Sequence, residues 1–208
     1  MGRNYDGYTK VLQDLIEQIA ALPGIGSRTA ERLAYHLVRE PKDKVLALSD
    51  AIRAIKEKVR NCSQCFNITE ADTCPLCASE QRDRSLVCVV EQPRDLFQIE
   101  ATGIYQGLYH VLLGTLKPRD GLGAEQLTVE PLYQRIMASQ SQAVPIKEII
   151  LATNPTADGD ATATYIQQRL QGTPVKISRL ARGLPTGAQI EYSNLQILSD
   201  AMLERRTW

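Results

Sequence analysis

The sequence holds no apolar run approaching the roughly 20 residues that a bilayer-spanning helix requires, so nothing in it targets a membrane. Its first ten residues, Met1 to Lys10, are polar and lack the apolar stretch of a secretory signal, which leads to the expectation of a cytoplasmic protein. There is no Gly-Lys dipeptide, and without one there is no P-loop to cradle a triphosphate. Net charge is also missing: 24 Lys and Arg face 24 Asp and Glu, which argues against a uniformly basic nucleic-acid surface. The charge is unevenly spread, however. Residues 1–60 carry 11 Lys and Arg against 8 Asp and Glu, and the remainder 13 against 16, so a basic front could meet DNA while an acidic rear meets something else.

Cysteine is scarce, with five in 208 residues, yet four are organised. Cys62, Cys65, Cys74 and Cys77 form two Cys-x-x-Cys pairs, each able to wrap a tight knuckle around one ion. Together they offer the four thiolates of a tetrahedral Zn²⁺, one per chain, with no open position for catalysis. The alternatives are two disulfides or four unrelated thiols, and an intracellular chain disfavours the former. The segment between the pairs, Phe66 to Thr73, is too short and polar to fold on a core of its own, so the metal supplies most of its folding free energy. The fifth cysteine, Cys88, sits in the apolar run 85–91 and is expected to be buried.

Ahead of the cysteines the apolar residues recur with helical period. Val11, Leu12, Leu15, Ile16 and Ile19 mark one helix between Tyr8 and Leu22, which Pro23-Gly-Ile-Gly26 breaks. A second helix has Ser27 as its expected N-cap and Ala30, Leu33, Ala34, Leu37 and Val38 as its expected buried stripe, up to Pro41. Gly24 and Gly26 allow the backbone to approach a phosphate, the free N–H groups of the second helix point at it, and Arg28 and Arg32 add charge on the same face. That arrangement reads backbone rather than bases. A plain helical hairpin whose glycines only make the turn is the alternative. A third helix, Asp43 to Arg60, carries a seam of Val45, Leu48, Ile52, Ile55 and Val59 that could pack within the chain or against a second copy.

Beyond the cysteines, short apolar runs at 85–91, 109–114, 148–153 and 175–180 alternate with helical stretches near 125–138 and 161–171, the pattern of an α/β domain with a mostly parallel sheet. Ligands of such sheets bind beyond the carboxyl ends of the strands, where Glu91, Asp158 and Asp160 are expected to converge. A cluster of that kind suits Mg²⁺; equally, Asp158-Gly-Asp160 could be a solvated turn opening a helix. No nucleophile and no basic cluster is evident near these acids.

Taken in order, Leu22-Pro-Gly-Ile-Gly26, the four cysteines, Cys88-Val-Val-Glu91, Gly107-Leu-Tyr-His-Val-Leu112, Leu151-Ala-Thr-Asn-Pro155 and Gly183-Leu-Pro-Thr-Gly187 with Glu191-Tyr192 resemble the RecR family of bacterial recombination mediators over nearly the whole chain. The middle half is similar to a Toprim domain, with Glu91, Asp158 and Asp160 at that domain's acidic positions. The resemblance implies a helix-hairpin-helix region over residues 1–60, a four-cysteine zinc finger over 61–82, a Toprim domain over 83–180 and a C-terminal oligomerisation segment over 181–208.

It also implies a non-enzymatic DNA clamp, assembled as a homotetrameric ring and associated with the nucleoid. Such a clamp acts with RecO, and in many bacteria RecF, to load RecA at gaps and damaged forks. Gly24, Gly26, Arg28 and Arg32 would meet DNA; Glu91, Asp158 and Asp160 would form the acidic cleft that engages RecO, with Mg²⁺ there optional. The family more often has Glu where this chain has Asp158 and Asp160, and often Asp where Asn194 ends Glu191-Tyr-Ser-Asn194, a stretch likened to a Walker B motif. Two other classes compete with the mediator: a metal-dependent Toprim nuclease or primase, and a zinc-stabilised adaptor that binds only protein.

Overall fold

The apolar runs after the cysteines do become strands of one parallel sheet, seen in a computed structural model that describes residues 8–117, 120–121 and 123–205. The chain divides into two units, Met1–Val59 and Arg60–Trp208.

The first unit is helical: α1 (Lys10–Ala20), α2 (Ser27–Arg39) and α3 (Lys42–Lys58). α1 and α2 close around buried Ile16, Ala30 and Ala34, with Leu12, Leu15, Ile19 and Ile25 packed against them. Alanines on the inner face of α2 let the two helices approach closely. Two expectations fail here. The N-cap of α2 is Gly26, in extended conformation, and Ser27 is already the first helical residue. The buried stripe is also narrower than expected, because Leu33 and Val38 are exposed. α3 buries no residue among those described, and the seam of Leu48, Ile52 and Ile55 lies open, Ile52 and Ile55 each at 60% exposure.

The second unit begins with the finger: β1 (Arg60–Asn61) pairs antiparallel with β2 (Ile68–Thr69), and a short α4 (Pro75–Ala78) follows. Then come β3 (Asp83–Val90), α5 (Pro93–Glu100), β4 (Gly107–Val111), α6 (Val129–Ser139), β5 (Glu148–Ala152), α7 (Ala157–Arg169), β6 (Lys176–Arg179) and α8 (Leu195–Leu203). The four strands β3 to β6 pair in parallel in the order β4-β3-β5-β6.

β3 is central and covered on both faces, which is why its sequence is a near-continuous apolar run rather than an alternation. Val87 and Val89 face one core with Leu132 and Ile136 of α6 and Ala163 and Ile166 of α7. Cys88 and Val90 face the other, with Leu96 of α5 and, from the finger, Phe66 and Leu76. Burial of Cys88 is therefore as expected, and it pushes the thiol pKa up to about 12. The periodicity does not announce α5, which is only eight residues long and opens on a capping box between Gln92 and Asp95.

Candidate zinc centre and nucleic-acid interface

The two cysteine pairs meet. Their four sulfurs lie within 4.8 Å of one another, all four residues are buried, and among the described residues they are the only group of three or more potential metal ligands so arranged. Each pair turns on a backbone contact: Phe66 N–H donates to the Cys62 carbonyl at 3.0 Å, and Ala78 N–H to that of Cys74, also at 3.0 Å. Phe66 holds φ at 62°, a left-handed conformation unusual for an aromatic and imposed by the knuckle. The backbone N–H of Cys74 donates to Cys62 Sγ at 3.2 Å and links the two knuckles. Hydrogen bonds from the thiols of Cys65 and then Cys77 hold the Cys74 pKa far below its usual range, and the bond to Cys74 pushes that of Cys65 up, so without an ion the sulfurs share protons between them. Cys65 Sγ and Cys74 Sγ are 3.5 Å apart and all five cysteines are free, which sets the disulfide alternative aside. Four buried soft donors in this spacing fit a tetrahedral Zn²⁺.

The finger is tied to the sheet. Val111 N–H, in β4, donates to the Cys65 carbonyl at 2.8 Å, and the Phe66 ring meets His110 edge-on at 5.3 Å between centroids. His110 is fully buried with Nε2 beside Thr128, and desolvation lowers its pKa to about 3, which keeps it neutral.

In the hairpin, Ile25 N–H closes the turn onto the Leu22 carbonyl at 3.1 Å, and Gly24 sits at φ 80° where a side chain would be strained. Nothing lies within 4 Å of where a Cβ of Gly24 or Gly26 would stand, so the turn is open to an approaching ligand. Arg28 and Arg32 are exposed, one helical turn apart, with no ion-pair partner among the described residues. The start of α2 thus presents free N–H groups and two uncommitted guanidinium groups together.

At the carboxyl end of the sheet the three acids do not form one ligand cluster, contrary to expectation, because two of them are taken by neighbours. Glu91, 7% exposed, accepts the Asn154 backbone N–H at 2.7 Å and its side-chain amide at 2.6 Å. Asp160 pairs with Arg179 at 2.8 Å and with Arg182, and the Arg182 bond first, then Arg179, holds its pKa below the usual carboxylate range. Asp158 is exposed in the first turn of α7, where the helix dipole favours an acid. The absence of basic groups near the acids is likewise corrected: Arg179 and Arg182 are hidden from sequence inspection by their 19- and 22-residue separation from Asp160. Asn154 has a signal, standing in the run Leu151-Ala-Thr-Asn-Pro155, but the run alone gives it no role. Asn194 caps α8, its side chain accepting the Ile197 N–H at 2.8 Å.

A four-cysteine finger ahead of a parallel α/β domain, with a helical hairpin preceding both in the chain, defines a zinc-finger α/β protein of the helical-hairpin class. Residues 12–56 match the RecR helix-hairpin-helix family, 59–79 the RecR four-cysteine zinc finger domain and 85–181 the Toprim domain. The chain is 46% identical over 200 residues to the recombination protein RecR of Rhodopirellula baltica, covering 96% of this chain and 98% of that one. It is 44% identical to RecR of Rubrobacter xylanophilus, again over 96% and 98% of the two chains, and 43% identical to RecR of Pelotomaculum thermopropionicum over 97% and 98%. The chain belongs to the RecR family of recombination proteins.

Proposed function

We propose that this chain is a DNA-binding recombination mediator that works as a ring-shaped clamp and catalyses no reaction of its own. The observation that carries the reading is the hairpin, in which an open glycine turn, the N-terminus of α2 and the unpaired Arg28 and Arg32 share one exposed surface. Such a surface binds phosphate irrespective of base sequence. Assembly as a homotetramer is supported by the uncovered apolar seam of α3 and by the exposed Ile190, Leu195, Met202 and Leu203 of the C-terminal segment. On this reading one Zn²⁺ per chain builds the finger and plays no chemical part. RecO, with RecF where present, is the partner, and the complex loads RecA at gaps and forks in the cytoplasm, on the nucleoid. Among the described residues no helix is long and apolar enough to cross a membrane.

The acidic end of the sheet is a docking surface for RecO in this scheme, and Mg²⁺ is not required there. Two commitments of its side chains favour docking over catalysis: Glu91 is held by Asn154 and Asp160 by two arginines. Native mass measurement tests the ring, and a single preparation separates mediator from enzyme. Titration with RecO should show binding that Asp158→Asn weakens, and incubation of labelled DNA with Mg²⁺ or Mn²⁺ should leave it unchanged. Turnover that Glu91→Gln abolishes would replace the mediator with a Toprim enzyme.

A further inference from the structure

Between the finger, α6 and the first residues of β3 lies a cavity of about 510 Å³. It is separate from the acidic end of the sheet: Arg84 is the second residue of β3 and Glu91 directly follows its last, at opposite ends of a strand that at about 3.3 Å per residue spans up to about 23 Å between them. Two cations, Arg84 and Arg135, line it, and no carboxylate does. Among the described residues neither arginine has an ion-pair partner, Arg135 spends one nitrogen on the Tyr109 carbonyl at 2.7 Å and the Arg84 side chain makes no hydrogen bond. Arg135 also feels the nearby Cys77 thiolate, but no carboxylate neutralises either guanidinium within the recess, so the pair can attract an anion, and their planar forks suit phosphate oxygens.

The other walls narrow the class of anion. Phe66 and Val144 supply an aromatic and an aliphatic surface, and the Gln64 and Gln134 amides each carry both donors and an acceptor. A fatty acid would leave these amides unpaired and a bare phosphate would leave the apolar walls empty; a nucleobase uses both, stacking on Phe66 and bonding through its edge. The volume falls within the range of small-ligand sites and holds about one nucleotide, whereas a duplex could not enter. We infer that this finger-side cavity is a nucleotide-binding site, with the phosphate on Arg84 and Arg135 and the base against Phe66 and Val144. The same chemistry comes from two sources, a free mononucleotide or the 5′-phosphorylated end of a DNA strand.

The test uses the full-length Arg28→Ala/Arg32→Ala protein, so that the hairpin adds nothing to the signal. Saturation-transfer NMR titrations compare thymidine 5′-monophosphate, thymidine, inorganic phosphate and a tetranucleotide with and without its 5′-phosphate. The monophosphate or the phosphorylated tetranucleotide should bind, thymidine and inorganic phosphate at least about tenfold more weakly. Binding of the monophosphate assigns the site to free nucleotide, and binding of the phosphorylated tetranucleotide alone assigns it to strand ends. Arg84 is exposed, so Arg84→Glu should keep its zinc while losing about tenfold or more in affinity, and Arg84→Lys should retain most of it. Failure of both phosphorylated probes to bind, affinity unchanged in Arg84→Glu, or inorganic phosphate binding as tightly as the nucleotide would each overturn the assignment.

Discussion

The carboxylate of Glu91 is held by one residue, Asn154, through two hydrogen bonds of 2.7 and 2.6 Å from its backbone N–H and side-chain amide. The bonds join the end of β3 to the loop after β5, two strands that pair along their length from Leu86↔Glu148 to Val90↔Ala152. An acid at a position expected to hold metal or a partner therefore also fixes the loop that presents Asp158 and Asp160.

Gly159, between those two acids, should tolerate no side chain. A Cβ there would stand 2.1 Å from the Asn154 carbonyl oxygen and 2.8 Å from Glu91 Oε1, and the first of these is backbone that cannot swing aside. Gly159→Ala should lower stability by about 1–3 kcal/mol, read from urea unfolding at neutral pH. An unchanged midpoint would mean that the loop is free to shift.

Asp160 gives a pH signature. Its folded-state pKa is depressed by Arg182 and Arg179, so its stabilising contribution is present above the unfolded value of about 3.9 and is lost as pH falls from there through the depressed folded value. The side chain is 44% exposed, which limits the contribution to about 1 kcal/mol or less. Asp160→Asn should therefore be slightly less stable than wild type at pH 7, and the gap should close in acid. Urea midpoints of both proteins across the range check the sign, and a gap that widens in acid would exclude the clasp.

Loss of the hairpin guanidinium groups should weaken DNA binding uniformly across unrelated sequences. For duplex DNA, each phosphate contact removed by Arg28→Ala or Arg32→Ala should flatten the salt dependence by about 0.9 log unit per log unit of salt. Fluorescence anisotropy at several salt concentrations gives the slope. Unaltered slopes in correctly assembled double variants would leave the hairpin a mere turn.

Purified protein should contain one Zn²⁺ per chain by elemental analysis. Cys62→Ser should lose it and unfold at lower temperature, because three thiolates no longer close the shell and the finger has no other core. Metal-free wild type with unaltered unfolding would remove zinc from the account.

Legibility in the sequence follows the range of each interaction. The cysteine cluster and the glycine hairpin are built from residues a few positions apart, so spacing alone locates Cys62, Cys65, Cys74, Cys77, Gly24 and Gly26. Strands β3 and β5 are legible because a buried parallel strand must be apolar throughout. Partners supplied from a distance are not: nothing local to Asp160 indicates Arg182, and nothing at Glu91 indicates Asn154, 63 residues on. Ser27 misleads because capping preference is a tendency of residue type, while Gly26 alone has the extended backbone that the cap requires.

The bond between Cys65 and Val111 bears on a different hazard. β4 lies at the border of its sheet, and an open border invites strands of other molecules to pair with it. Here much of the border is occupied: Val111 N–H is spent on Cys65, while Arg82, Arg135 and Thr128 donate to the carbonyls of Gly107, Tyr109 and Val111. The finger is thus part of a seal against fibril-like stacking, and loss of its ion would uncover the Val111 N–H at the border of a strand whose every residue is apolar or aromatic apart from Gly107 and His110.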